Sequence, residues 1–349
     1  MGRMPNSLLA RARIEGNPII DSETATFLWQ GKTAPRLIDD FHGWEEHPQP
    51  MQRLASGLWA VAVKLPADAY IEYAFSDPKT KTQYPDPLNP RSVWNGVNAY
   101  NHYFYMPEAN PTPLAQPGKG IARGTVSRRE VACELLAAGK KRAVYLYRPP
   151  TEKPAPLLVV YDGLDYLRRA KLAVIVDNLI AQKRIRPLAL ALLHNGGRAR
   201  YVEYGCSDVT LAFLTETILP LARQYLKLVN VEKQPGAYGV LGASMGGVMA
   251  LYTGLRLPEI FGKVLSQSGA FTLWERPSAA MELVRHASRP ELGIWMDVGR
   301  MESLLDDNRD MYALLQEKGY RVSYREVSGG HNFTTWRDDL WRGLEEMFG

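Results

Sequence analysis

The chain has 349 residues, 46% of them apolar, and a formal net charge of +5. This length and apolar share exclude a disordered chain and exceed one ordinary domain, so two domains are expected. Two widely separated cysteines, Cys133 and Cys206, indicate neither a disulfide framework nor a zinc site, and lysines and arginines scattered along the chain argue against nucleic-acid binding.

Residues 1–13 carry no sustained apolar run, and no 18-residue apolar span follows, so neither a leader nor a membrane span is expected and the chain reads as cytoplasmic. From about 17 to 107, short β-branched or aromatic runs at 26–29, 57–65, 70–75 and 100–105 are separated by Pro, Gly and Asp. That texture predicts a small antiparallel β-sandwich over residues 1–110. Trp29, Trp44, Trp59 and Trp94 lie in this part and could stack on sugar rings, although Trp59, in an alternating strand, also fits a core position. Pro111, Pro113 and Pro117 mark 111–123 as a linker.

From Val126 the pattern changes to buried strands at 142–147, 157–161, 187–193, 236–241, 263–267, 292–296 and 321–327. Helical stretches alternate with them, among them 170–182, 209–228 and 304–318. Such alternation predicts a mostly parallel sheet covered on both faces over residues 124–349.

The sharpest chemical feature lies in this second part. Gly242-Ala243-Ser244-Met245-Gly246-Gly247 joins an apolar strand to a helix and has the form of a nucleophile elbow. Small residues two positions either side let the chain fold back and expose the Ser244 hydroxyl. Serine is a poor nucleophile at neutral pH and needs a base, which in turn needs a carboxylate to hold its tautomer. The last predicted strand runs into Ser328-Gly329-Gly330-His331, which gives one histidine a loop setting at a strand end; His194, also at a strand end, is the competitor. Between Ser244 and His331, the strand at 292–296 leads to Asp297 and Glu302. Glu302 is the preferred acid and Asp297 the alternative, while Asp306, Asp307 and Asp310 read as a solvated helix face. The order serine, acid, histidine is that of the α/β-hydrolase fold. In that fold an early strand end supplies a second oxyanion donor, which assigns the hole to the backbone N–H groups of Leu164, after Asp162-Gly163, and Met245.

Segments 240–252 and 258–269, then Gly299-Arg300-Met301-Glu302 with Asn308, and Gly329-Gly330-His331 with Trp336-Arg337, resemble the enterochelin esterase family within the esterase D group of α/β-hydrolases. The resemblance implies Ser244, Glu302 in a G-x-x-E motif, and His331 in a G-G-H-D motif. Asn332 departs from the last of these, standing where the family usually has Asp. It also implies an immunoglobulin-like N-terminal sandwich, which further resembles glycogen-binding modules. An R-x-x-E pattern of the family is matched by Arg200 and Glu203, with Arg200 expected to grip an anionic substrate oxygen and Glu203 to orient it.

The implied activity is that of a serine esterase without cofactor or resident metal, cleaving ester bonds of a catecholate siderophore trilactone. Iron would belong to the substrate, and a mildly basic surface would favour capture of an anion. A feruloyl or acetyl esterase acting on plant polysaccharide is the alternative enzyme. A non-catalytic glycan-binding protein is the alternative of another class.

Overall fold

Runs of apolar residues spaced two apart build the N-terminal unit, as strand geometry requires. In the computed structural model, which describes residues 5–96 and 99–349, strands Ile19–Asp21, Thr24–Gln30, Leu58–Lys64 and Gln52–Ala55 form one antiparallel sheet in that spatial order. A second antiparallel sheet orders Gln49–Pro50, Arg36–Asp39, Tyr70–Ser76, Tyr100–Tyr105 and Ser92–Trp94, with Gln83–Tyr84 paired beside Tyr70–Ser76. Ala25, Phe27 and Val63 from the first sheet share one core with Leu37, Ile71, Phe75 and Phe104 from the second, so the unit is a two-sheet sandwich. Tyr70–Ser76 is buried along its whole length because Ile71, Tyr73 and Phe75 face the sandwich core while Glu72 and Ser76 meet Asp40 and Glu45.

Three of the four tryptophans considered for sugar stacking are held by structural contacts. Trp29 packs edge-on against Phe75 at 5.1 Å, Trp59 Nε1 donates to Gly31 O, and Trp44 Nε1 donates to an Asp40 carboxylate oxygen. Trp94 is exposed beside Tyr100.

The second unit is built on eight strands: β1 (Thr125–Ala132), β2 (Lys141–Arg148), β3 (Leu157–Val160), β4 (Ala189–Leu193), β5 (Tyr238–Ala243), β6 (Phe261–Gln267), β7 (Gly293–Gly299) and β8 (Arg321–Val327). Their spatial order is β1-β2-β4-β3-β5-β6-β7-β8. The pairs β4–β3, β3–β5, β5–β6 and β6–β7 are parallel, whereas β1–β2 and β2–β4 are antiparallel. β3, β4 and β5 are fully buried apolar runs, as parallel strands covered on both faces must be. This mixed sheet with crossing helices is an α/β-hydrolase type of fold.

Two local expectations change. The helix predicted over 209–228 is helix Asp208–Phe213, a π-turn over Leu214–Ile218, and helix Leu219–Tyr225. Pro220 lacks the N–H that an uninterrupted ladder needs, and the wider turn carries the chain past it. The stretch expected to be a linker is packed at its start: Leu114 and Ala115 are buried, and Asn178 Nδ2 donates to Leu114 O at 2.7 Å and to Gln116 O at 2.8 Å.

By its contacts the first unit takes in the described residues up to Pro111 together with Gly299–Ser303 and Val327–Thr335; the second holds the rest. The two short segments follow β7 and β8 in the chain. Among the described residues, no helix is long and apolar enough to cross a membrane.

Candidate active site

Ser244 sits between β5 and the helix α1 (Met245–Arg256), with φ 58° and ψ −123°. This positive φ is strained for a residue with a side chain, and the surroundings hold it there: Ser244 N donates to Gln267 O at 2.9 Å, and Ala270 N donates to Ser244 O at 3.1 Å. The flanking glycines are required by close approach. A Cβ at Gly242 would overlap the backbone of Gly246, and one at Gly247 would stand 2.8 Å from Ser266 Oγ. The elbow expected from the sequence is therefore formed, with Ser244 half-buried rather than enclosed.

β3 and β5 are parallel neighbours, with Val160 opposite Leu241, so the turns that follow them lie side by side. Leu164 is in the first turn of a short helix, Gly163–Arg168, and Met245 opens α1. Backbone N–H groups in a first helical turn have no carbonyl four residues back, which leaves them available to an oxyanion. Asp162, which precedes the Leu164 turn, is in the left-handed region at φ 51°.

The carboxylate of Asp162 is the partner of Arg200. Arg200 Nε donates to Asp162 Oδ1 at 2.8 Å, and Nη2 donates to Asp162 Oδ2 at 2.7 Å and to Ala243 O at 3.1 Å. Glu203, expected to orient Arg200, does something else. Its carboxylate accepts both Nη groups of Arg142 at 2.8 and 2.9 Å, in a fork-to-fork pair whose members are almost wholly buried. The R-x-x-E spacing put both residues near one strand end, yet Arg142, from β2, satisfies Glu203 first. Sequence reading missed Arg142 because its partner is 61 positions away.

Glu302 and His331, the residues expected to be acid and base, come together on two loops of the first unit. Arg300 N donates to Val327 O at 2.8 Å and Met301 N to Gly329 O at 3.1 Å, so the loop after β7 and the loop after β8 are laced by backbone bonds. Gly299 is needed there, since a Cβ would overlap Gly329 O. Across this junction His331 Nδ1 is hydrogen-bonded to Glu302 Oε2. The Glu302 side chain is 1% exposed and accepts Gly299 N on its other oxygen at 2.6 Å, whereas the imidazole is 38% exposed. A buried, anchored carboxylate on Nδ1 leaves Nε2 to exchange a proton.

Asp297, the alternative acid, is committed elsewhere. It is buried in the second unit, and its Oδ2 accepts Gln267 Nε2 at 2.8 Å and Trp295 Nε1 at 3.2 Å. Gln267 also donates to Trp336 O and accepts the Tyr166 hydroxyl, which makes Asp297 part of the support beneath the elbow. Asp306 pairs with Arg309, and Asp307 accepts Thr272 N. His194 Nδ1 contacts Asn195 O.

The model of the Esterase family, described as "Putative esterase", matches residues 137–347, more than half of the chain. The iron(III) enterobactin esterase of Escherichia coli K12 is 26% identical over 346 residues, which cover 88% of this chain and 84% of that relative. The iron(III) enterobactin esterase of Dickeya dadantii is 25% identical, with 94% of this chain and 89% of the relative covered. A crystal structure of ferric enterobactin esterase from Salmonella typhimurium superposes with a TM-score of 0.79 at 23% identity, covering 93% of each chain, which shows a shared fold. Since the matched span carries the elbow, the acid loop and the histidine loop alike, the chain belongs to the Esterase family and is a carboxylic ester hydrolase.

Proposed function

We propose that this esterase cleaves the ester bonds of a catecholate siderophore with a trilactone backbone, with Ser244 as nucleophile, His331 as proton carrier and Glu302 as the carboxylate that orients it. The observation that carries the substrate class is the match to iron(III) enterobactin esterases along 84% and 89% of their lengths. Chain order and the His331–Glu302 pair support the triad.

Ser244 Oγ attacks the ester carbonyl carbon as its proton passes to His331 Nε2. The carbonyl oxygen becomes an oxyanion held by the N–H groups of Leu164 and Met245. Collapse breaks the carbon–oxygen bond, and His331 gives the proton to the departing serine alkoxide of the substrate. Water then attacks the acyl-enzyme with His331 taking its proton, and Ser244 leaves protonated as the carboxylic acid departs. Glu302 holds the imidazolium that forms twice in this cycle.

With Nε and Nη2 on Asp162, Arg200 braces the turn that presents Leu164; a grip on an anionic catecholate comes from Nη1. The N-terminal sandwich reads as immunoglobulin-like, and residence in the cytoplasm accords with the relatives' substrate.

Parallel hydrolysis of ferric enterobactin, its linear fragments and methyl ferulate by the purified protein tests the substrate class. The trilactone is expected to give the highest kcat/KM, and added salt should lower it for the anionic substrate alone. Higher kcat/KM on methyl ferulate would transfer the protein to the polysaccharide esterases. Arg200→Ala should raise KM for the ferric substrate about tenfold, as loss of a charge-assisted hydrogen bond implies. Equal losses on a neutral p-nitrophenyl ester would make Arg200 a brace only.

A further inference from the structure

The loop that carries His331 rests on a carboxylate more than 290 positions earlier in the chain. Asp40, 4% exposed, opens a short 3-10 turn, Asp40–His42, in the first unit. Its Oδ1 accepts Trp44 Nε1 at 3.1 Å, and its Oδ2 accepts Glu72 N at 2.8 Å and Asn332 Nδ2 at 3.2 Å. On the other side of His331, the Gly330 backbone lies so close to Asp40 that a Cβ there would overlap the carboxyl carbon and oxygen. Both neighbours of His331 are thus seated on one side chain. Asn332 passes the constraint on, since its Oδ1 accepts Thr335 N at 2.9 Å at the start of the helix Phe333–Phe348.

We propose that Asp40 is a positioning residue for catalysis: through Gly330 and Asn332 it sets the backbone on which the His331 imidazole is aimed. This rests on His331 being the proton carrier. It also accounts for Asn332 standing where the resemblance leads one to expect Asp. Asp40 already accepts from Trp44 Nε1 and Glu72 N, and Asn332 reaches it as a neutral donor, whereas an ionised Asp there would meet a second carboxyl. Burial, with Glu72 close by, already pushes the Asp40 carboxyl well above the usual carboxylate range. A displacement of about 1 Å in a catalytic group can cost on the order of 10²-fold in rate, so a lever of this kind reads out in kcat.

The test uses the full chain and p-nitrophenyl butyrate, an ester whose hydrolysis does not depend on the siderophore assignment. Asn332→Asp places two carboxyls together among Glu72, Tyr70, Asp39, His42 and His331. Below their upper ionisation they share one proton; above it they repel. Its kcat should be about tenfold below wild type at pH 8.5, with KM within twofold, and the ratio of variant to wild-type kcat should rise as pH falls to 6. In Asp40→Asn/Asn332→Asp the new amide can donate to the new carboxylate only by turning its nitrogen toward Glu72 N as well, so kcat should stay below wild type; with one of the two facing carboxyls removed, however, that ratio should become flat with pH. Asn332→Ser, which keeps an oxygen for Thr335 N but loses reach to Asp40, gives a further variant if Asn332→Asp fails to fold, and should lose kcat severalfold at unchanged KM. A pH-independent ratio for Asn332→Asp, a double variant that keeps the pH dependence of Asn332→Asp, or wild-type kcat in Asn332→Ser would overturn the role of Asp40. Retained activity in His331→Ala would instead overturn the triad.

Discussion

Glu302 and Asp297 lie five residues apart and carry the same charge, yet their partners assign them different work. Glu302 keeps one oxygen on a backbone N–H and turns the other to His331, while Asp297 is bound from Gln267 and Trp295 inside the second unit. Glu302→Gln should therefore cut kcat by about 10²–10⁴ with little change in unfolding midpoint, because the imidazole loses the charge that holds its tautomer. Asp297→Asn should do the reverse: its amide oxygen accepts both donors only as a neutral group, so about 1–3 kcal/mol of stability should be lost in urea denaturation while kcat falls less. Ser244→Ala and His331→Ala should each abolish nearly all turnover, and the double variant should be little slower than either, as the proposed triad requires. Steady-state kinetics on one ester, together with urea unfolding of the two carboxylate variants, checks all three comparisons.

At the scale of elements, the strand–elbow–helix of β5 and α1 is defined by what its glycines allow. Gly242 faces the backbone of Gly246 with no room for a methyl group, so the sharp reversal that lifts Ser244 depends on it. Gly242→Ala should cost about 1–3 kcal/mol by overpacking, read as a lower urea midpoint, and should lower kcat as the elbow relaxes. An unchanged midpoint would show that the strand end can shift. The buried Arg142–Glu203 pair plays a comparable part on the far side of β4, joining β2 to the segment after β4, and its removal from one side would leave an unpaired buried charge.

For the whole molecule, both cysteines report on folding. Cys133 is buried, and burial pushes the Cys206 thiol up to about 11. At pH 8 a thiol so shifted holds far less thiolate than a free one with a pKa near 8.5, so alkylation of the native protein should run on the order of 10²-fold slower than that of the unfolded chain. Fast native labelling of either thiol would show an opening that exposes it.

Much of the protein was legible in order along the chain. Apolar and aromatic runs gave away most of the strands, though not Arg36–Asp39, Gln52–Ala55, Ser92–Trp94 or Thr125–Ala132, whose residues are more polar, and the Gly242–Gly247 spacing announced the elbow, because these features depend on neighbours two to four positions apart. Ser244, Glu302 and His331 could be singled out as residues at strand ends by the same local logic. What the chain order could not reveal were pairings between distant segments. Glu203 meets Arg142 rather than Arg200, Asp162 takes Arg200, and Asp40 reaches Asn332, since a buried charge is satisfied by whichever partner the packing brings within 3 Å or so. The allocation of Gly299–Ser303 and Val327–Thr335 to the N-terminal unit has the same origin. Local periodicity determines which elements form; only the folded sheet and loops decide which side chains meet, because hydrogen bonds and ion pairs act over a few ångströms of space and not along the sequence.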